Sequence, residues 1–89
     1  MKLQEIEKIL VEGNLDLAYE SLESYLEKNP NNSEAWYLLG TIYRRQESWG
    51  DAINAYNKAK LIDPEGPAAA AIESINNILG FVNTDLMNP

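Results

Sequence analysis

Apolar residues recur along the chain at helical spacing. Leu3, Ile6, Ile9 and Leu10 form one stripe, and Gly13-Asn14 breaks it, which predicts a short amphipathic helix and a turn. A second helix is predicted over residues 16–28, ended by Asn29-Pro30-Asn31-Asn32. Over 33–46, Trp36, Leu39, Gly40 and Tyr43 share one face at about 100° per residue, with Glu34, Thr41 and Arg45 opposite. Asn32 or Ser33 is placed to cap that helix. Gln46-Glu47-Ser48 makes the next turn, and Ser48 with Asp51 three residues later has the form of a capping box opening a fourth helix to about Ile62. Asp63-Pro64 closes it, because the residue before a proline is pushed out of the helical region. Gly66-Pro67 then signals a fifth helix carrying Ala68 to Ala71, Ile72, Ile75, Ile78 and Leu79. The expected class is all-α.

The chain also matches itself. At a shift of 34, Ala18 falls on Ala52, Pro30 on Pro64, Leu22 on Tyr56 and Leu15 on Trp49. The second copy reads Trp36-x-x-Leu39-Gly40-x-x-Tyr43, then Ala52-x-x-x-Tyr56-x-x-Ala59, then Pro64, and this string resembles the tetratricopeptide repeat. The resemblance implies an α-α superhelix: repeat one over 1–32, repeat two over 33–66, and a capping helix with a tail over 67–89. It also makes Trp36, Leu39, Gly40, Tyr43, Ala52, Tyr56 and Ala59 fold residues, with Gly40 opposite Ala52. Tyr25 departs from the small residue that the family keeps there, so packing between the repeats is expected to differ at that point. A strict 34-residue count would put Ile72, Ile75 and Ile78 at groove-facing family positions; a connection shortened by two residues, which is preferred for a terminal helix, turns them onto the packing face.

In that family the first helix of each repeat lines a concave groove. The resemblance therefore nominates Glu34, Tyr37, Leu38, Thr41, Arg44 and Arg45 from repeat two, and Leu3, Gln4, Glu7, Leu10 and Val11 from repeat one. Tyr37 and Leu38 could take an apolar anchor of a peptide, and Arg44 or Arg45 could receive a carboxylate or instead pair with Glu47 or Glu7. Some family members grip a C-terminal acid with Lys and Asn. The matching positions here hold Leu3, Glu7 and Leu38, so that chemistry is not implied.

Composition narrows the function further. Length, 89 residues, allows one small domain. Seven Lys+Arg against 14 Asp+Glu give a formal net charge of −7, which disfavours nucleic acid and anionic membranes and favours a basic or neutral partner. There is no Cys and no His, which removes disulfides, thiolate nucleophiles, the common zinc ligands and the usual neutral-pH base. The five glycines are scattered singly, so no phosphate loop is formed, and Asp63-Pro64-Glu65-Gly66 offers too few ligands for calcium. Neither an apolar signal segment nor a membrane span is found in the sequence. The expectation is a cytoplasmic, non-catalytic module without cofactor that binds a protein or peptide. An alternative is a homodimer joined through Ile72, Ile75, Ile78 and Leu79, since helical repeats generally need about three units to bury a continuous core. A tail folding back through Phe81, Val82, Leu86 and Met87 would cover the same face.

Overall fold

A computed structural model describes residues 1–80 of the chain. Five helices follow one another: α1 (Leu3–Val11), α2 (Leu15–Lys28), α3 (Ser33–Arg45), α4 (Trp49–Ile62) and α5 (Ala68–Leu79). Each packs on its neighbours in sequence, and α1 also touches α3. That pattern is the stacked helix-hairpin arrangement of a repeat protein, in which contacts stay close along the chain. The all-α superhelical expectation is met, and the boundaries fall within a residue or two of those read from the sequence.

Local chemistry explains the breaks. Gly13 takes the left-handed backbone (φ 93°) after α1, which glycine does without strain. The Asn14 side chain accepts from the Leu17 amide at 3.2 Å and opens α2. Asn32 does the same for α3, accepting from the Ala35 amide at 3.0 Å. Ser48 makes no side-chain cap at α4, so the expected capping box is absent there. The Trp36 indole donates to the Pro30 carbonyl at 2.8 Å, fastening α3 to the inter-repeat turn.

The core divides into two clusters joined through α3 and α4. The first holds Leu3, Ile6 and Leu10 of α1, Ala18, Leu22 and Leu26 of α2, and Ala35, Leu38, Leu39 and Ile42 of α3. The second holds Ala52, Tyr56 and Ala59 of α4 with Ala68, Ala71 and Ile75 of α5. Ile6, Leu22, Ile42, Tyr56 and Ile75 are the largest fully buried side chains. Each of the four aliphatic ones contributes about 1.5–3 kcal/mol of transfer free energy. Because α3 is enclosed by α1 and α2 on one side and α4 on the other, it is buried beyond the single stripe of Trp36, Leu39, Gly40 and Tyr43. The row Ala35, Leu38 and Ile42 lies inside as well, which a one-stripe reading misses.

Two packing expectations are corrected. Gly40 does not chiefly make room for Ala52: a Cβ built on it would lie 2.6 Å from Tyr56 Cδ1, so it is the Tyr56 ring that occupies the space. Tyr25 fits at the repeat junction, half-buried on the first cluster, with its hydroxyl accepting from Asn32 Nδ2 at 3.3 Å. In α5 the buried residues are Ala68, Ala71 and Ile75. Ile75 is thus turned inward, Ile72 and Leu79 pack partly buried against the second cluster, and Ile78 stays 54% exposed.

Candidate functional site

A pocket of about 370 Å³ opens where α1, α3, the end of α4 and the start of α5 meet. Its floor is Tyr37, Leu38, Ala59 and Ala68, and Pro67 forms part of the wall. Around this apolar surface stand Glu7 from α1, Glu34 from the first turn of α3 and Asp63 from the C-cap of α4. All three acids are exposed. Among the described residues no group of three or more acidic side chains is arranged to hold a metal ion.

The floor is held rigid from beneath. The Tyr37 and Tyr56 rings sit 5.3 Å apart between centroids, tilted by 45°. The Thr41 hydroxyl donates to the Tyr37 carbonyl at 3.1 Å, which leaves its oxygen to accept from the Tyr56 hydroxyl at 2.9 Å. That bond satisfies a phenol whose side chain is otherwise enclosed. Burial is the main cause that pushes the Tyr56 phenol above its ordinary pKa of 10, with Thr41 pulling the other way. Outside the pocket the Tyr19 phenol is raised too, first by its contact with Tyr43 and then by the Glu23 carboxylate, which accepts its hydrogen bond at 2.9 Å. The Tyr19 and Tyr43 rings meet edge to face at 6.0 Å and tie α2 to α3.

The residues nominated from the sequence are distributed unequally. Glu7, Glu34, Tyr37 and Leu38 converge on the pocket. Leu38 is only 5% exposed, so it supplies floor and core at once, while Leu3 and Leu10 are core residues instead of groove residues. Thr41 is engaged beneath the floor. Gln4 and Val11 are exposed on α1 and are not among the residues lining the pocket.

The two arginines stand apart from the pocket. Arg45 donates to the Leu10 carbonyl at 3.0 Å, capping the last turn of α1 where the helix dipole favours a cation. Arg44 reaches Ser74 Oγ at 3.4 Å and links α3 to α5. Their partners are therefore a carbonyl and a hydroxyl within the fold, neither of the acids weighed from the sequence. Of the four residues nominated for self-association, Ile75 is enclosed and only Ile78 stands well out. Phe81, Val82, Leu86 and Met87 lie outside the described residues.

Asp63, Ala59, Pro67 and Ala68 escaped the sequence reading of the site. They reach it because the end of α4 and the start of α5 return alongside the first turns of α3, a relation that helical periodicity does not encode. No helix among the described residues is long and apolar enough to cross a membrane.

Comparison with known proteins agrees with the fold. The tetratricopeptide repeat profile matches residues 10–74. The solution structure of the Bacteroides fragilis protein BF1650 superposes with a TM-score of 0.84 at 34% identity, over 98% of this chain and 89% of that one. The general transcriptional corepressor ssn6 of Schizosaccharomyces pombe is 35% identical over 54 residues, 61% of this chain and 5% of its own length. The bifunctional subunit NrfFG of the formate-dependent nitrite reductase complex of Haemophilus influenzae is 33% identical over 67 residues, 75% of this chain. The cytochrome c-type biogenesis protein CycH of Bradyrhizobium diazoefficiens is 31% identical over 55 residues. This chain spans 15% of the length of each of these last two. Repeats of this kind generally mediate contacts between proteins and are typically non-catalytic.

Proposed function

Because this chain belongs to the tetratricopeptide repeat family, we propose that the face shared by α1, α3 and the start of α5 binds a segment of another polypeptide, without catalysis. The observation that supports this reading is the pocket floored by Tyr37 and Leu38, which is apolar, open to solvent and braced by the Thr41–Tyr56 hydrogen bond. A braced floor loses little conformational entropy when a ligand settles on it. Fold likeness gives the class of ligand and nothing finer.

Panning a random-peptide display library on the chain tests the proposal. Selected peptides are expected to shift the amide resonances of Glu7, Ser33, Glu34, Tyr37 and Ala68 and to lose affinity when Tyr37 becomes Asp. Peptides that leave those resonances in place, or a library that yields no binder, would overturn it.

Self-association through α5 is the second reading, favoured by exposed Ile78 beside partly buried Ile72 and Leu79. Light scattering across a concentration series separates the two, since a monomer has a mass of 10.0 kDa.

A further inference from the structure

We infer that the segment bound in this pocket carries a lysine or arginine next to an apolar side chain, so that the partner is a basic, partly apolar stretch of polypeptide. The inference rests on the groove reading above and adds the chemistry of the occupant. Its basis is charge complementarity at an apolar groove. Tyr37 and Pro67 present a surface on which a side-chain stem can lie, and Glu7, Glu34 and Asp63 stand around it from three different helices or their ends. Long basic side chains suit such a site, because their methylenes pack on apolar surface while the charged head stays among the carboxylates in water.

The positive charges of the same face point the same way. Arg45 is turned to the Leu10 carbonyl and Arg44 to Ser74, so neither lines the pocket. An acidic segment would meet carboxylates with no cation among the lining residues. A metal ion is a poorer occupant, since these acids are not grouped as metal ligands would be. The net charge of −7 adds a long-range attraction for basic segments that salt weakens.

The test uses the same panning, read for sequence. Enriched peptides that shift the pocket resonances should carry Lys or Arg beside Leu, Ile, Phe or Tyr. Their affinity should fall about three- to tenfold in the Glu7→Gln/Glu34→Gln double variant and fall with added salt. Both positions are exposed, so the variant should fold like the parent and lose no more than about 1 kcal/mol, the contribution of the charge that Glu34 places in the first turn of α3, and melting followed by circular dichroism checks this. Peptides that shift the pocket resonances yet lack basic residues, or bind the double variant equally well, would overturn this inference and leave the groove reading standing. If no peptide shifts those resonances, both fail together.

Discussion

The two helix hairpins make the same crossing with different side chains. In α1–α2 the positions that correspond to Gly40 and Tyr56 at a shift of 34 are Ile6 and Leu22, and both are fully buried. One hairpin joins two mid-sized aliphatics, whereas the other sets the smallest residue against one of the largest. The summed volume is not held constant, since isoleucine with leucine is larger than glycine with tyrosine; what recurs is that these positions are buried in both hairpins, and in repeat two Gly40 is small because the Tyr56 ring fills its space. The turns differ in the same spirit. Gly13 and Glu47 are equivalent, and both have positive φ, 93° and 60°. Asn14 and Ser48 are equivalent N-caps with nearly the same backbone, φ −84° and ψ 80° against φ −87° and ψ 75°, but only Asn14 makes a side-chain cap. Repeat one thus has the better turn, and repeat two the more recognisable helices.

The crossing offers the largest effect. In Gly40→Ala the new Cβ would fall 2.6–2.9 Å from three atoms of the Tyr56 ring, and that ring is 1% exposed with its hydroxyl tied to Thr41. Overpacking of this kind costs about 1–3 kcal/mol, or more where nothing can shift, and the helix propensity of alanine returns about 1 kcal/mol. A net loss of about 2 kcal/mol in urea unfolding is expected. If Gly40 is small because the Tyr56 ring fills its space, Tyr56→Leu should offset part of that loss, so that the double variant is more stable than the sum of the singles by at least about 1 kcal/mol. Additive effects would show that the two residues contribute separately, and the comparison with Ile6 and Leu22 would break.

This pairing also explains how much could be read in advance. Trp36, Leu39, Gly40, Tyr43, Ala52, Tyr56, Ala59 and Pro64 form an unmistakable string, so the fold and the helix boundaries were legible. Repeat one lacks that string because Ile6 and Leu22 do the same packing without its signature residues. Four of the ten residues that line the candidate pocket, Glu7, Glu34, Tyr37 and Leu38, were legible too, since they sit on first helices at positions that the family resemblance places in the groove. The partners of Arg45 and Arg44 were not legible for a physical reason: a cation near a helix end finds carbonyls and hydroxyls of adjacent helices, and those lie 35 and 30 residues away in sequence. Asp63, Pro67 and Ala68 were hidden because only the superhelical return of the chain brings them beside Glu34.

The turn comparison is sharpened by exchanging its residues. Glu47 holds a left-handed backbone that a residue with a Cβ adopts at a cost of about 1–2 kcal/mol. Glu47→Gly removes that strain but admits more freedom to the unfolded chain, so a net gain of about 0.5–1 kcal/mol is expected. Gly13→Ala is the mirror experiment. Nothing lies within 4 Å of a Cβ built there, so any loss, expected to be about 1 kcal/mol, comes from backbone strain alone. Thermal melting of both variants checks the pair. Changes of the same sign in the two would mean that the turns are not equivalent.

The caps give the smallest and most specific difference. Asn14 and Ser48 share a backbone conformation and differ in the side chain: the Asn14 amide oxygen accepts from the Leu17 amide, while the Ser48 side chain makes no such bond. Asp51 still places a favourable charge in the first turn of α4, and the Ser48 carbonyl already accepts from Ala52 at 2.9 Å, so α4 starts properly without a side-chain cap. Asn14→Ala should therefore cost about 1 kcal/mol and Ser48→Ala less than about 0.5 kcal/mol, whereas Ser48→Asn should gain about 0.5 kcal/mol by importing the longer side chain. Hydrogen exchange at Asp51 reads the last change directly, as its amide is the one that corresponds to Leu17 at a shift of 34. Unchanged exchange there, with stability also unchanged, would mean that α4 is held by its neighbours so firmly that its first turn no longer depends on a cap.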